Sequence, residues 1–224
     1  MSKRAFNAVY IFFGILIAAA LAFKIFQPIK VLPRIKLAPA FSVINQDNHL
    51  LTSEDLRGKF TLYSFSYARC PNSCNAVNDV MKEVQARLNE VALDGIEVAF
   101  VTISFDAQRD APEDLKRYGQ TQGADFSRWQ FVSQPDAALL KTIVGSGFEV
   151  YYEDKGGGEF AFDPTFVLVD GWGVIRARYR YATEVSTPDR ILHHLGVLAE
   201  EVQKSVGSAK VAYEAAHLFL CYSE

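Results

Sequence analysis

Apolar positions along this chain follow three regimes. Residues 5–23, AFNAVYIFFGILIAAALAF, form one apolar run with no charge and Asn7 as its strongly polar exception. Nineteen residues come close to the ~20 needed to cross a bilayer as a helix. Residues 1–26 therefore read as an N-terminal transmembrane anchor. The alternative is a secretory signal cleaved at Ala20-Leu21-Ala22, although the run exceeds the ~7–15 apolar residues of a usual signal. Lys3 and Arg4 flank one side and Lys24, Lys30, Arg34 and Lys36 the other, so positive charge alone leaves the orientation open. Residues 27–40 carry Pro28, Pro33 and Pro39 and read as an extended spacer holding a domain off the membrane.

From residue 41 the period changes every ten to twenty residues. Residues 41–56 predict a hairpin with its turn at Asp47-Asn48, then a helix capped by Ser53. Residues 60–67 alternate with strand period. Val77, Val80, Met81, Val84 and Leu88 recur with helical spacing over residues 75–91, and residues 96–105 are β-prone. Helices are predicted at 112–120, with Asp110 as cap, and at 135–144. Strands are predicted at 149–152, 165–169 and 174–181. A last domain helix covers 187–204, with Pro188 in its first turn. Gly156-Gly157-Gly158 marks a hairpin or loop tip. The order implies an α/β sandwich around a mixed central sheet, occupying residues 41–205, with a helical tail at 206–224.

Composition narrows the function classes. Of 224 residues, 23 are basic and 26 acidic, giving a net charge of −3. That balance argues against a general nucleic-acid binder, which carries a basic surplus. Half the residues are hydrophobic, too many for a disordered chain. Three cysteines are too few for a disulfide scaffold.

Two of those cysteines stand in a chemically specific place. Cys70-Pro71-Asn72-Ser73-Cys74 follows a predicted strand and opens a predicted helix. A helix N-terminus favours negative charge, which lowers a thiol's pKa and makes Cys70 the candidate nucleophile. Cys74, four residues on, is within disulfide reach and is the candidate resolving thiol. The same pair suits a soft metal such as Cu(I). Two buried structural cysteines are the bland alternative.

These residues resemble the Sco/SenC family, membrane-anchored thioredoxin-like proteins of cytochrome c oxidase assembly. FSVINQDNHLLTSEDLRGK resembles the family's opening hairpin, TLYSFSYARCPNSC its strand and cysteine site, VTISFDAQRDAPEDLKRYGQ its strand and Arg-Asp-Thr-Pro loop, and FVLVDGWGVIRARY its penultimate strand pair. The resemblance runs from about residue 39 to 204. It implies a thioredoxin-like fold with an N-terminal hairpin, and copper held by Cys70, Cys74 and a distal histidine. That histidine is missing: the region reads Phe160-Ala161-Phe162-Asp163-Pro164-Thr165, and Phe162 or Pro164 takes the place. The four histidines, His49, His193, His194 and His217, lie elsewhere. Pro164-Thr165 resembles instead the cis-proline element with which thioredoxin-like oxidoreductases align a substrate, the alternative being a trans proline opening a strand. A peroxiredoxin-type site is disfavoured, because Tyr67 stands where that family has threonine.

The expectation is a membrane-tethered thiol–disulfide oxidoreductase, with Cys70, Cys74 and Pro164 as site residues and its domain outside an inner membrane. Its partners would be a client with a cysteine pair, such as a cytochrome oxidase copper-site subunit, and a thiol reductant or oxidant. A copper metallochaperone and an assembly factor with a static disulfide are the alternatives. Asp106 and Asp110 read as loop and capping residues, with proton transfer as the functional alternative. Trp129 and Trp172 read as packing residues. One of His193 and His194 should face solvent. His217 and Cys221, at helical i, i+4 spacing, lie on a tail whose Val211, Leu218 and Leu220 would dock on the domain.

Overall fold

A computed structural model describes residues 3–26, 29–70, 75–180, 183 and 186–219. Ten strands and six α-helices are found among them: β1 (Lys36–Leu37), β2 (Ser42–Asn45), β3 (Leu50–Thr52), β4 (Phe60–Ser66), β5 (Val98–Ser104), β6 (Trp129–Ser133), β7 (Tyr152–Gly156), β8 (Glu159–Phe162), β9 (Thr165–Val169) and β10 (Val174–Arg180), with α1 (Lys3–Phe26), α2 (Asn75–Ala86), α3 (Pro112–Gln122), α4 (Ala137–Lys141), α5 (Pro188–Lys204) and α6 (Ala209–Phe219). One sheet runs β1-β10-β9-β4-β5-β6-β2-β3, and β7-β8 form a separate hairpin. β4, β5 and β6 are parallel; the remaining pairs are antiparallel. The sheet is mixed, as the sequence implies.

Strand alternation places the core on both faces. Along β4, Phe60 and Leu62 enter the cluster under α2, α3 and α5, with Met81, Leu115, Phe166 and Leu195. Tyr63 and Phe65 enter the opposite cluster, with Phe148, Val167 and Ile143. A strand buried on both faces reads as a continuous β-prone run. β4, β5 and β9 do so, and their predicted spans lie within two residues of the observed ones.

Several expectations change. β6 was not predicted, because Gln130 interrupts its apolar pattern; the amide instead accepts from Asn45 Nδ2 at 2.9 Å and Gln46 Nε2 at 3.1 Å. The helix predicted at 135–144 is capped by Asp136 and widens into a π-helical turn at Thr142–Gly147. The strand predicted at 149–152 begins only at Tyr152 and turns at the three glycines, all with positive φ, into the unpredicted β8. Ser53 is not the cap of its short helix: Thr52 is, in a reciprocal arrangement with Asp55. Asp110 does not cap α3, whose N-cap is Ala111.

Residues 29–38 do not project as a spacer. Val31 and Leu32 are buried, and β1 pairs with β10. Arg176, fully buried, donates to the carbonyls of Leu32 at 2.7 Å and Pro33 at 3.1 Å, and to Asp170 and Glu201. The tail helix docks, though not through Val211; the side chains of Leu218 and Leu220 lie outside the described residues. Val211 is 75% exposed, while Tyr213 and Ala216 are buried against Val31, and His217 Nε2 lies 2.9 Å from Glu201. Trp129 is fully buried and donates to Thr102 Oγ1 at 2.9 Å, but Trp172 is 59% exposed on a turn and is no packing residue. His193 is exposed; His194 is buried, 2.8 Å from Tyr179 Oη.

α1 is a 24-residue helix with Val9, Ile11, Phe12, Phe13 and Leu16 exposed. Among the described residues no helix is long and apolar enough to cross a membrane, so the structure does not show the expected transmembrane span.

Candidate redox site

Parallel β4 and β5 end side by side, Ser66 opposite Ser104, and the chain leaving each builds the site. From β4, Tyr67 turns inward and the Cys70 N–H donates to the Tyr67 carbonyl at 3.1 Å. Cys70 is half-buried, packed on the cluster that contains Tyr67 and Phe105, and is disulfide-bonded. Cys74, Pro71 and Cys221 lie outside the described residues. α2 begins at Asn75, as the sequence predicts.

The β7–β8 hairpin covers this turn with aromatic rings. Tyr67 meets Phe160 and Phe162 at centroid distances of 5.0 and 6.4 Å, and Phe105 meets Tyr152, Phe160 and Phe162 at 5.0, 5.2 and 5.0 Å. Such edge-on and tilted pairs stabilise by about 0.5–1.5 kcal/mol each beyond area burial. Phe162, one of the two positions where the resemblance implies a histidine, is therefore a member of this cluster.

Pro164 opens β9. The antiparallel register of β4 and β9, Ser64 opposite Phe166, carries Pro164 alongside Ser66, at the same end of the sheet as Cys70. Its peptide bond is not cis, for no cis bond occurs among the described residues. Asp163 is instead held extended: its N–H donates to the Tyr151 carbonyl at 3.1 Å, and Arg180 grips its carboxylate at 2.6 Å. The cis-proline reading is thus corrected.

Beneath the turn lies a buried polar group centred on Asp110, which the sequence suggests as a helix cap. Asp110 Oδ2 accepts the Ala68 N–H at 2.7 Å and the Ser104 hydroxyl. Ser66 Oγ lies 2.9 Å from Tyr118 Oη, which also accepts from Asn78 Nδ2 at 2.6 Å. The signal was available in Ser64, Ser66, Thr102 and Ser104, which are hydroxyls at strand period inside apolar strands. Burial raises the Asp110 carboxyl above the usual carboxylate range, opposed by the Ser104 and Ala68 hydrogen bonds. Asp106, also buried, pairs with Arg109 at 2.6 Å, and Arg109 reaches the Gly157 carbonyl at the hairpin tip.

Two thiolates alone can hold Cu(I), and the resemblance adds a histidine as third donor. Among the described residues no three His, Cys, Asp or Glu side chains group to hold a metal. The histidines are placed elsewhere, His194 on Tyr179 and His217 on Glu201. Cys74 lies outside the described residues, so Cys70 is the one donor of the pair that is described.

The family model described as SCO1/SenC matches residues 31–200. The chain belongs to the SCO1/SenC family. It is similar to the SCO1 protein homolog of Bacillus subtilis (strain 168), 23% identical over 140 residues, or 62% of this chain and 71% of that one. The SCO2-like protein RT0576 of Rickettsia typhi is 36% identical over 84 residues, 38% of this chain and 40% of the relative. Among solved structures, a SCO1/SenC family lipoprotein from Bacillus anthracis str. Ames superposes with a TM-score of 0.66 at 24% identity, covering 74% of this chain and 96% of that one. BsSco, described as a member of the Sco family of cytochrome c oxidase assembly proteins with a disulfide switch, gives 0.65 at 21% identity, covering 75% and 96%. These likenesses establish the SCO1/SenC fold.

Proposed function

We propose that this SCO1/SenC chain is a membrane-tethered thiol–disulfide oxidoreductase acting on a cysteine pair of a copper-site protein in cytochrome c oxidase assembly. The observation that carries the reading is Cys70 in a disulfide at the open end of β4. Cys74 is the assigned partner. In the reducing direction, the Cys70 thiolate attacks a client disulfide sulfur. The client S–S bond breaks, a mixed disulfide forms, and one client thiolate leaves and takes a proton. Cys74, as thiolate, then attacks Cys70 and releases the second client thiolate. Two electrons pass to the client, and a thiol reductant restores the protein's dithiol. Pro164, beside Ser66, lines the face that the client backbone would meet.

In this reading the apolar run at residues 5–23 serves as a single-pass anchor in an inner membrane, with the domain on the periplasmic or an equivalent side. The topology supports a tether on the far side from the chemistry. Cys70 precedes the start of α2, whereas Lys30 shares a groove with Glu90 and Val91 beyond the end of that helix. The 12 residues of α2 rise about 18 Å.

Copper delivery is the second reading. A putative copper-binding protein of Stutzerimonas stutzeri is 23% identical over 161 residues, 72% of this chain and 78% of the relative. One set of measurements separates the readings. Cys74→Ser should accumulate a mixed disulfide with the client, and Cys70→Ser should abolish it. Tight one-to-one Cu(I) binding in competition with a chelator would overturn the redox assignment, and a potential below about −300 mV would mark a static structural disulfide.

A further inference from the structure

The carboxyl of Asp110 has no place in the exchange steps above, yet it is the charged group tied to the backbone of the cysteine turn. Asp110 is 4% exposed. Its Oδ2 takes the Ala68 N–H, two residues before Cys70, and the Ser104 hydroxyl; its Oδ1 is buried with no partner. Its own N–H donates to the Asp106 carbonyl at 3.1 Å, which fixes the backbone from which the carboxyl projects. One wall of the carboxyl is a cavity lined by Ile44, Ala107, Leu115, Ser133 and Pro135, which offers it no cation.

We propose that Asp110 is a positioning residue of the Cys70 site: by holding the Ala68 N–H in its ionised form and loosening it when neutral, it sets how fast the Cys70 disulfide exchanges. The inference rests on the redox reading of Cys70.

The physics follows from charge. Exchange develops negative charge on the sulfurs. An ionised Asp110 adds a like charge beneath the turn and engages an N–H dipole that would otherwise be free to turn toward that charge. A neutral Asp110 removes the like charge and holds the N–H less strongly. The groups that face it are Asp106, which opposes its ionisation; Arg69 on the turn, which favours it; Arg109 in the loop; and Tyr118 from α3. Burial is the largest influence and favours the neutral form, so the change of state falls above the usual aspartate range. A hydrogen bond to a charged group is stronger than one to a neutral group. The expected difference between the two states is about tenfold in rate, which is ~1.4 kcal/mol.

The test uses the full chain in detergent, oxidised, with dithiothreitol as reductant, and measures the rate constant per dithiothreitol thiolate from about pH 3.5, below the usual aspartate value, to about pH 8. In the wild type this constant should rise about tenfold on acidification, through one inflection. Asp110→Asn, nearly isosteric, should react at the fast level throughout, with no inflection. Ser104→Ala removes a hydrogen bond that favours the carboxylate and should move the inflection to higher pH while keeping its height. An Asp110→Asn profile that retains the wild-type inflection, or a wild-type profile that is flat, overturns the inference while leaving a reducible disulfide and the redox reading intact. A wild-type disulfide that dithiothreitol cannot reduce overturns both.

Discussion

Arg176 offers the sharpest test of how the domain is held together. Its guanidinium is fully buried and makes charged contacts with Asp170 Oδ2 at 3.0 Å and with both Glu201 oxygens at 2.8 and 2.6 Å, besides the two carbonyls of residues 32 and 33. Both carboxylates are also buried. In Arg176→Met the aliphatic stem is conserved but two carboxylates lose their cation, and the carbonyls of Leu32 and Pro33 lose their donors. Breaking a buried ion pair from one side costs about 3–5 kcal/mol. A chain of this size changes Tm by ~2–4 °C per kcal/mol, so a fall of roughly 10 °C is expected. Thermal unfolding followed by circular dichroism on the full chain in detergent measures it. Arg176→Met with Glu201→Gln should recover part of the loss, because one of the two stranded charges is gone. A fall of less than about 3 °C at pH 7, or a double variant no more stable than Arg176→Met, would refute the account.

Two further perturbations follow from the same buried polar chemistry. Tyr118→Phe deletes the hydroxyl shared by Ser66 and Asn78 and leaves the buried Asn78 amide, whose Oδ1 already has no partner, without its acceptor. Denaturant unfolding should show a loss of about 1–3 kcal/mol, and an unchanged midpoint would contradict it. His217 docks α6 on Glu201, and burial holds its imidazole below the usual histidine pKa. The unfolded chain therefore binds the proton more readily, so the contribution of His217 is complete above about pH 6.5 and declines as pH falls toward the depressed folded value. Proteolytic release of α6 should accelerate on going from pH 7.5 to 5.5, and His217→Gln should flatten that dependence.

Legibility in the sequence tracked how locally each element is determined. β4, β5, β9 and α5 were readable because burial and period coincide within each segment. β6 was not, because its place depends on amide pairing with Asn45 and Gln46 some 85 residues away. Caps failed for a similar reason. Ser53 and Asp110 satisfy the composition rule for a cap, but Thr52 closes the reciprocal pair with Asp55, and the Asp110 carboxyl is engaged by a different strand end. The spacer misled because prolines signal an extended chain without saying whether that chain is solvated. Here its carbonyls meet a buried arginine whose own sequence context, Val174 to Tyr179, reads as plain strand.

The candidate site divides along the same line. Cys70 was legible because chemistry, spacing and the strand-to-helix junction agree within a few residues. The histidine question was legible only as an absence at positions 160–165, and the structure gives that absence a physical content. At Phe162 an imidazole would have to replace a ring packed against Tyr67 and Phe105. At Pro164 it would stand in a segment held extended by Arg180 and the Tyr151 carbonyl. The rings of Phe160 and Phe162 pack on Tyr67 and Phe105 beside the turn that carries Cys70, while Arg69 on the same turn is exposed. A SCO1/SenC domain with a phenyl ring at position 162 keeps Cys70 in a disulfide and offers no imidazole from that position. That difference is the physical reason for placing thiol–disulfide exchange ahead of copper delivery in this chain.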